Sequence, residues 1–168
     1  MTLVSRTGRQ LQRYNHNGRR LVVGCIPYRY KGSCDNGEVE VLVISSQKGQ
    51  KKGMMFPKGG WELDESLEEA AYRESLEEAG VLGSIEGELG TWIYESKSHD
   101  AVYEGCMFSL LVTVQLDLWP EKNMRQRVWT TIEEAKEVCN QWWMKEALDV
   151  LAERLSAAGQ TEHRQQKI

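Results

Sequence analysis

The side chains of this 168-residue chain that could do chemistry are concentrated in one acidic stretch. Residues 62–88 carry ten carboxylates and a single base, Arg73. Glu74, Glu77 and Glu78 follow that arginine directly. At about 100° per residue, Glu74 and Glu78 fall in the same helical stripe as Leu67, Ala70 and Ala71, and Glu77 borders it. An amphipathic helix ordinarily aims leucine there. Inward carboxylates are costly when unpaired, and they repel one another at i,i+4 spacing. A divalent cation between them would relieve both penalties. A donor set of oxygen alone favours Mg²⁺ or Mn²⁺ over zinc. Arg73 is the base placed to orient one of the carboxylates. An acidic run is ordinarily a solvated helix face, and the spacing argues against that reading here.

The charge distribution supplies a second clue. Net charge is only −4, yet residues 1–34 hold Arg6, Arg9, Arg13, Arg19, Arg20, Arg29 and Lys31 and no acid. A cationic surface attracts anions. Together the two clusters suggest a metal-dependent enzyme acting on a polyanion. An Arg-rich, acid-free N-terminus also has the composition of a mitochondrial leader. Against that, the basic stretch runs without a linker into the first apolar strand pattern.

Several elements must position these groups. Residues 21–28 (LVVGCIPY) and 39–45 (VEVLVIS) read as strands joined by a polar, Gly-containing turn, hence a hairpin. A basic Gly-rich loop at 47–53 leads into MMFPKGGW, a short extended piece broken by Pro57. Helix 66–79 has marked ends: Ser66 and Glu69 form a capping box, and Gly80 stands where a left-handed cap is wanted. Residues 89–95 and 106–115 and a short piece around Val128 and Trp129 read as strands. Helices near 131–139 and 142–157 follow, and the polar segment 159–168 is expected to be a disordered tail after one domain spanning 1–158. Strands interleaved with helices, joined mostly by connections too short for parallel crossovers, imply a mixed-sheet α/β sandwich.

Gly59, five residues, Glu65, seven residues and then Arg73-Glu74-x-x-Glu77-Glu78-x-Gly80-Val81 resembles the Nudix box in full. Seven fixed identities, at usage of about 5–7% each, recur by chance on the order of once in 10⁸ to 10⁹ windows, so the match is specific. Ser75 departs from the pattern, which usually has an aliphatic residue there. The resemblance implies a Nudix-type α/β/α fold and hydrolysis of a diphosphate linkage with Mg²⁺, for which Mn²⁺ can substitute. It makes Glu74 and Glu78 metal ligands and Glu77 a further ligand or the base that activates water. It also brings the backbone of Gly59 and Gly60 close to a metal or phosphate, an approach that glycine readily permits. PKGGW before the helix, RTGR-x-x-QRY at 6–14 and VISSQKG at 43–49 are similar to the diphosphoinositol polyphosphate phosphohydrolase group, most of all to its plant members.

A site for so crowded a polyphosphate needs many cations. Arg13, Arg19, Arg20, Lys48 and Lys58 are the candidates, with Ser45 and Ser46 as hydroxyl donors and Lys97, Arg125, Arg127 and Lys145 in support. A nucleotide substrate would be expected to meet an aromatic sandwich. Trp92, Tyr94, Tyr103, Trp142 and Trp143 could supply one, but their strand and helix spacing reads as core. Diadenosine polyphosphate hydrolysis is therefore the alternative activity, and a non-catalytic module binding inositol phosphates or RNA caps is a third reading. His16, His99 and His163 show no triad or ligand spacing.

With 40% hydrophobic residues, and no apolar run near the roughly 18 residues that span a bilayer, no membrane association is expected. Cys25, Cys34, Cys106 and Cys139 have neither zinc nor redox spacing and read as reduced thiols of an intracellular protein. A monomer acting on a small molecule, with no nucleic-acid partner, is expected in the cytoplasm, with a nuclear or mitochondrial location left open.

Overall fold

The structure is a computed structural model. It describes residues 5, 11–32, 38–47, 53–96 and 101–165, with 159–165 as backbone. Lys48, Lys97 and Cys34 lie outside the described residues.

The expected hairpin is present. β1 (Arg20–Tyr30) and β2 (Val39–Ser45) are antiparallel, with Tyr28 opposite Val41. The broken piece that follows forms two short strands, β3 (Met54–Met55) on β2 and β4 (Lys58–Gly60) on β1. Next comes α1 (Leu67–Ala79), the carboxylate helix. β5 (Val81–Ser96) and β6 (Ala101–Gln115) form a long antiparallel pair, and β7 (Arg127–Thr131) lies on β2. α2 (Ile132–Val138) and α3 (Trp142–Gln165) close the chain.

β1 runs parallel to β6, with Val22 opposite Gly105, while its other neighbours are antiparallel. The sheet is thus mixed, in the order β3-β2-β1-β6-β5. Successive side chains of a strand point to opposite faces, and β2 shows the consequence. Leu42 and Ile44 join Ala70, Ala71 and Ala79 of α1 in one cluster. Val41 and Val43 join Ala135 of α2 and Trp143, Met144, Ala147 and Leu148 of α3 in the other. Two buried faces explain why β2 reads as a continuous apolar run rather than an alternating one. This is the α/β/α sandwich expected from the sequence.

Two boundaries differ from the expectation. β5 begins at Val81 rather than near residue 89, and its first half is held by pairing with β6 through three register shifts. α3 continues to Gln165, across the segment expected to be a disordered tail.

The ends of α1 form as the sequence reads. Ser66 Oγ accepts from Glu69 N, and Glu69 Oε1 accepts from Ser66 N, both at 3.1 Å. Gly80 adopts φ +66° and donates to Leu76 O at 3.1 Å. A Cβ there would meet the Trp119 ring at 2.7 Å. Gly80→Ala therefore combines left-handed strain with a clash and is expected to cost about 1–2 kcal/mol or more. The check is a lowered denaturant midpoint at unchanged m-value, and an unchanged midpoint would remove the cap from the account.

Candidate active site

Three carboxylates of α1, and Glu65 just before it, are buried in the protein. Glu65, Glu74, Glu77 and Glu78 are between 2% and 8% exposed. Arg73 is their common partner. Its Nε and Nη2 grip Glu65 at 2.6 and 2.9 Å, while Nη1 donates to Glu74 Oε1 at 2.9 Å and to Glu77 Oε2 at 3.2 Å. Nη2 also donates to the carbonyl of Gly60 at 2.9 Å. A planar guanidinium with five N–H groups in a fixed fork can make this set of bonds, and a lysine ammonium cannot. Burial works against the Arg73 charge, but the bonds to Glu65 and the charges of Glu74 and Glu77 outweigh it and leave the pKa raised.

Glu78 faces a different arginine. Its Oε2 accepts from Lys58 N at 3.3 Å, and Arg125 Nη2 lies 3.2 Å from its Oε1. That last contact is an ion pair without hydrogen-bond alignment, so Glu78 Oε1 is buried with no hydrogen-bond donor. Burial pushes Glu78 above the ordinary carboxylate range, against the pull of Lys58 and Arg125. Burial also raises Glu74, helped by the charge of Glu78 and opposed by Arg73.

The last turn of α1 is held from outside, because a helix leaves its final carbonyls unpaired. The connection 116–126 and the start of β7 satisfy them in series. Glu121 N donates to Glu77 O, Trp119 Nε1 to Glu78 O, Arg127 Nη1 to Ala79 O and Leu116 N to Gly80 O, at 2.9–3.2 Å. Arg127 stacks on Trp119 and supplies a cation at the helix C-terminus, where the dipole favours one. Ser75, the departure from the box pattern, is fully buried and donates to Ala71 O at 3.0 Å. Its hydroxyl is thus satisfied within the helix.

The residues expected to hold substrate divide into two groups. Arg13 Nε and Nη2 donate to the carbonyls of Glu62, Leu63 and Glu65, and the guanidinium lies over Trp61. Arg13 therefore clamps the loop that presents Glu65 rather than reaching outward. Ser45 Oγ accepts from Gln126 N, Arg125 Nη1 donates to Ser45 O at 2.9 Å, and Arg127 has the bonds given above, so these three are tied into the scaffold. Lys145 lies on α3 beside Cys139, and Ser46 follows the end of β2. A Cβ on Gly59 would overlap the Glu74 carboxylate, so the close approach there is by the Glu74 side chain.

Arg19, Arg20 and Lys58 form the second group. Arg19 and Arg20 line a cavity of about 440 Å³ together with Tyr14 and Tyr103. Arg20 Nη2 stands 2.8 Å from where a Gly60 Cβ would be, which joins that cavity to the strand beneath Arg73. Arg20 Nε is buried without a hydrogen-bond partner. Lys58 lies near enough to Glu74 and Glu78 to lower the pKa of both. The aromatic residues behave mainly as core. Trp143 is fully buried and stacks on Tyr94 at 4.4 Å, while Trp142 is half exposed.

A profile of the NUDIX domain matches residues 18–151. The chain belongs to the Nudix family. As a Nudix hydrolase it is a pyrophosphohydrolase acting on a small molecule. It is 66% identical to Nudix hydrolase 17, mitochondrial, of Arabidopsis thaliana over 92% of this chain and 85% of that one. It is 65% identical to Nudix hydrolase 18, mitochondrial, of the same plant over 92% of this chain and 88% of that one. Its fold matches a C. elegans Ap4A hydrolase binary complex with TM-score 0.62 at 22% identity, over 82% of this chain and 98% of that chain.

The donor set fits the divalent cation that Nudix hydrolases generally use. It is oxygen only, it contains the orphaned Glu78 Oε1, and the missing Cβ at Gly59 lets the Glu74 carboxylate lie against the strand. Among the described residues no three ligating side chains are arranged to hold an ion as they stand, and Arg73 and Arg125 supply the countercharge. Glu74 and Glu78 bind protons more tightly folded than unfolded. Their stabilising contribution is complete below the ordinary carboxylate range and is lost as pH rises through the raised values. The metal-free chain is thus expected to melt at a higher temperature at about pH 6 than at about pH 8, with Mg²⁺ removing most of the difference. A melting temperature indifferent to pH over that interval would show that the two carboxylates ionise freely.

Proposed function

We propose that this Nudix hydrolase is a Mg²⁺- or Mn²⁺-dependent diphosphoinositol polyphosphate phosphohydrolase. In the reaction water adds to the outer phosphorus, the phosphoanhydride bond breaks, and inorganic phosphate leaves the ring-bound monophosphate. The observation that carries the substrate class is the cavity at Arg19 and Arg20, where Arg20 Nε lacks a partner next to β4. A guanidinium Nε left without an acceptor is suited to a ligand oxygen, and phosphate matches the arginine fork. Two adjacent arginines suit a substrate with phosphates crowded on one ring.

Glu74 and Glu78 would hold the cation, with Glu77 as a further ligand or the acceptor of the water's proton. The cation supplies charge neutralisation on the diphosphate and lowers the pKa of attacking water. Arg73 orients Glu74 and Glu77 and ties both to Glu65. Lys58 places a further positive charge beside the pair. Gly59 and Gly60 carry the backbone under the site.

Tyr14, 54% exposed, and Tyr103 share the walls of the same cavity, which favours a diadenosine polyphosphate as the second reading, with the base against these rings. Residues 11–20 are built into the fold: Arg13 N bonds Trp61 O, Leu63 N bonds Leu11 O, and Gln12 pairs with Glu62. Cleavage after Arg20 would remove the clamp on Glu65, so this segment belongs to the catalytic unit rather than to a leader. Both Arabidopsis relatives carry mitochondrial in their names, which supports a mitochondrial pool of this chain beside the cytoplasmic one expected from composition.

The test is turnover on diphosphoinositol phosphates, diadenosine penta- and hexaphosphate, ADP-ribose, NADH and capped RNA, for wild type and Arg19→Ala/Arg20→Ala. The expected result is the highest kcat/KM for the inositol substrate. The double variant should raise its KM more than it lowers kcat, because peripheral phosphate contacts exist in ground and transition states alike. The effect should shrink at high salt. An unchanged KM on the inositol substrate, or a preference for the diadenosine compounds, would overturn the assignment.

A further inference from the structure

One more buried glutamate stands outside α1 and the loop before it. Glu121 lies in the connection between β6 and β7 and is 5% exposed. Its backbone bond to Glu77 O fixes it beside the last turn of α1. Its Oε1 accepts from Arg125 Nε at 2.9 Å and Gln47 Nε2 at 2.8 Å, and its Oε2 accepts from Ser5 Oγ at 3.0 Å. Its carboxylate oxygens are bonded to Arg125, Gln47 and Ser5, and its charge also acts on Glu78 through space.

Arg125 is almost as enclosed, its side chain 9% exposed. Glu121 holds Nε, the carbonyl of Ser45 holds Nη1 at 2.9 Å, and Nη2 is left 3.2 Å from Glu78 Oε1. Glu121 and Ser45 thus set the orientation of the guanidinium. Glu78 receives its charge without an aligned bond, which is why Oε1 stays unsatisfied.

We propose that Glu121 is a positioning residue that sets the cation affinity of Glu78 by neutralising Arg125 and holding its guanidinium turned away from a two-bond grip on Glu78. The proposal rests on the reading of Glu78 as a metal ligand. A buried arginine beside a ligating carboxylate opposes a divalent cation in two ways. Its charge repels the ion, and its paired N–H groups compete for the same oxygens. Glu121 offsets the charge and occupies Nε, one arm of the fork. Without it, Glu78 is the carboxylate that remains to Arg125 among the described residues. The network also gives Ser5, in the acid-free N-terminal stretch, and Gln47, at the start of the basic loop, a connection to the ligand carboxylate.

The experiment measures Mg²⁺ and Mn²⁺ binding to the full chain without substrate, by calorimetry and electron paramagnetic resonance, with circular dichroism to confirm folding. The proteins are wild type, Glu78→Gln, Glu121→Gln, Arg125→Met and Glu121→Gln/Arg125→Met. Glu121→Gln is expected to weaken binding by about tenfold or more. Arg125→Met should bind at least as tightly as wild type, and the double variant should return to within a few-fold of it. Rescue by removing a second residue is not expected of a carboxylate that merely supports the fold or ligates the ion itself. Loss that persists in the double variant, or unchanged affinity in Glu121→Gln, would overturn the proposal. If Glu121→Gln does not fold, weaker binding by Arg125→Met alone overturns it. Wild type that bound no cation, or bound as well after Glu78→Gln, would instead overturn the ligand reading on which the proposal stands.

Discussion

The site depends on the guanidinium of Arg73. Four carboxylates of the box region are held almost out of water within a few residues of one another, which is unfavourable unless cations are set among them. Arg73 spans Glu65, Glu74 and Glu77 and reaches the backbone at Gly60. One planar group thereby joins the loop before α1, the helix itself and strand β4. Replacing it with any other residue type would leave at least one of these partners buried and unpaired, a penalty of about 1–3 kcal/mol for each neutral group and more for a charge.

Much of the remaining scaffold keeps that helix in place. Arg13 and Trp61 fasten the loop at its N-terminal side, Trp61 Nε1 donating to Glu65 O at 2.9 Å. At the C-terminal side the 116–127 segment supplies a donor to each of the last carbonyls in turn. The apolar face of α1 is small, made of Ala70, Ala71 and Ala79 with Leu67 partly buried at its edge, so packing alone gives it modest purchase. Polar clamps at both ends take over the task that leucines perform in an ordinary amphipathic helix. This explains how a helix can turn carboxylates inward and still dock at one fixed angle.

The parts legible in the sequence were those written locally. Ser66, Glu69 and Gly80 mark α1 because caps act within one turn, and the carboxylate stripe follows from periodicity alone. The hairpin of β1 and β2 is visible in β-branched runs around a polar turn. The first half of β5 is not, because VLGSIEGELG is rich in glycine and acid and becomes a strand through its pairing with β6, far away in sequence. The extension of α3 follows from good helix formers at 157–158 and no proline beyond, although Gly159 reads as a stop. Arginine roles were the least legible. Sequence shows that Arg13, Arg125 and Arg127 are cations but not what they face, and each faces a backbone carbonyl or a buried glutamate that only the tertiary fold brings near. Glu121 gives no periodic or spacing signal at all.

The most direct measurement of the central claim is the rate of Arg73→Lys on its diphosphate substrate at saturating Mg²⁺, with thermal unfolding followed in parallel. A lysine keeps the charge but cannot span Glu65, Glu74 and Glu77 together. If the fork sets the geometry of the carboxylates, kcat falls by about 100-fold while the chain still folds and unfolds cooperatively. A folded Arg73→Lys enzyme that retains more than about a tenth of the wild-type kcat would contradict the account, because charge alone would then suffice.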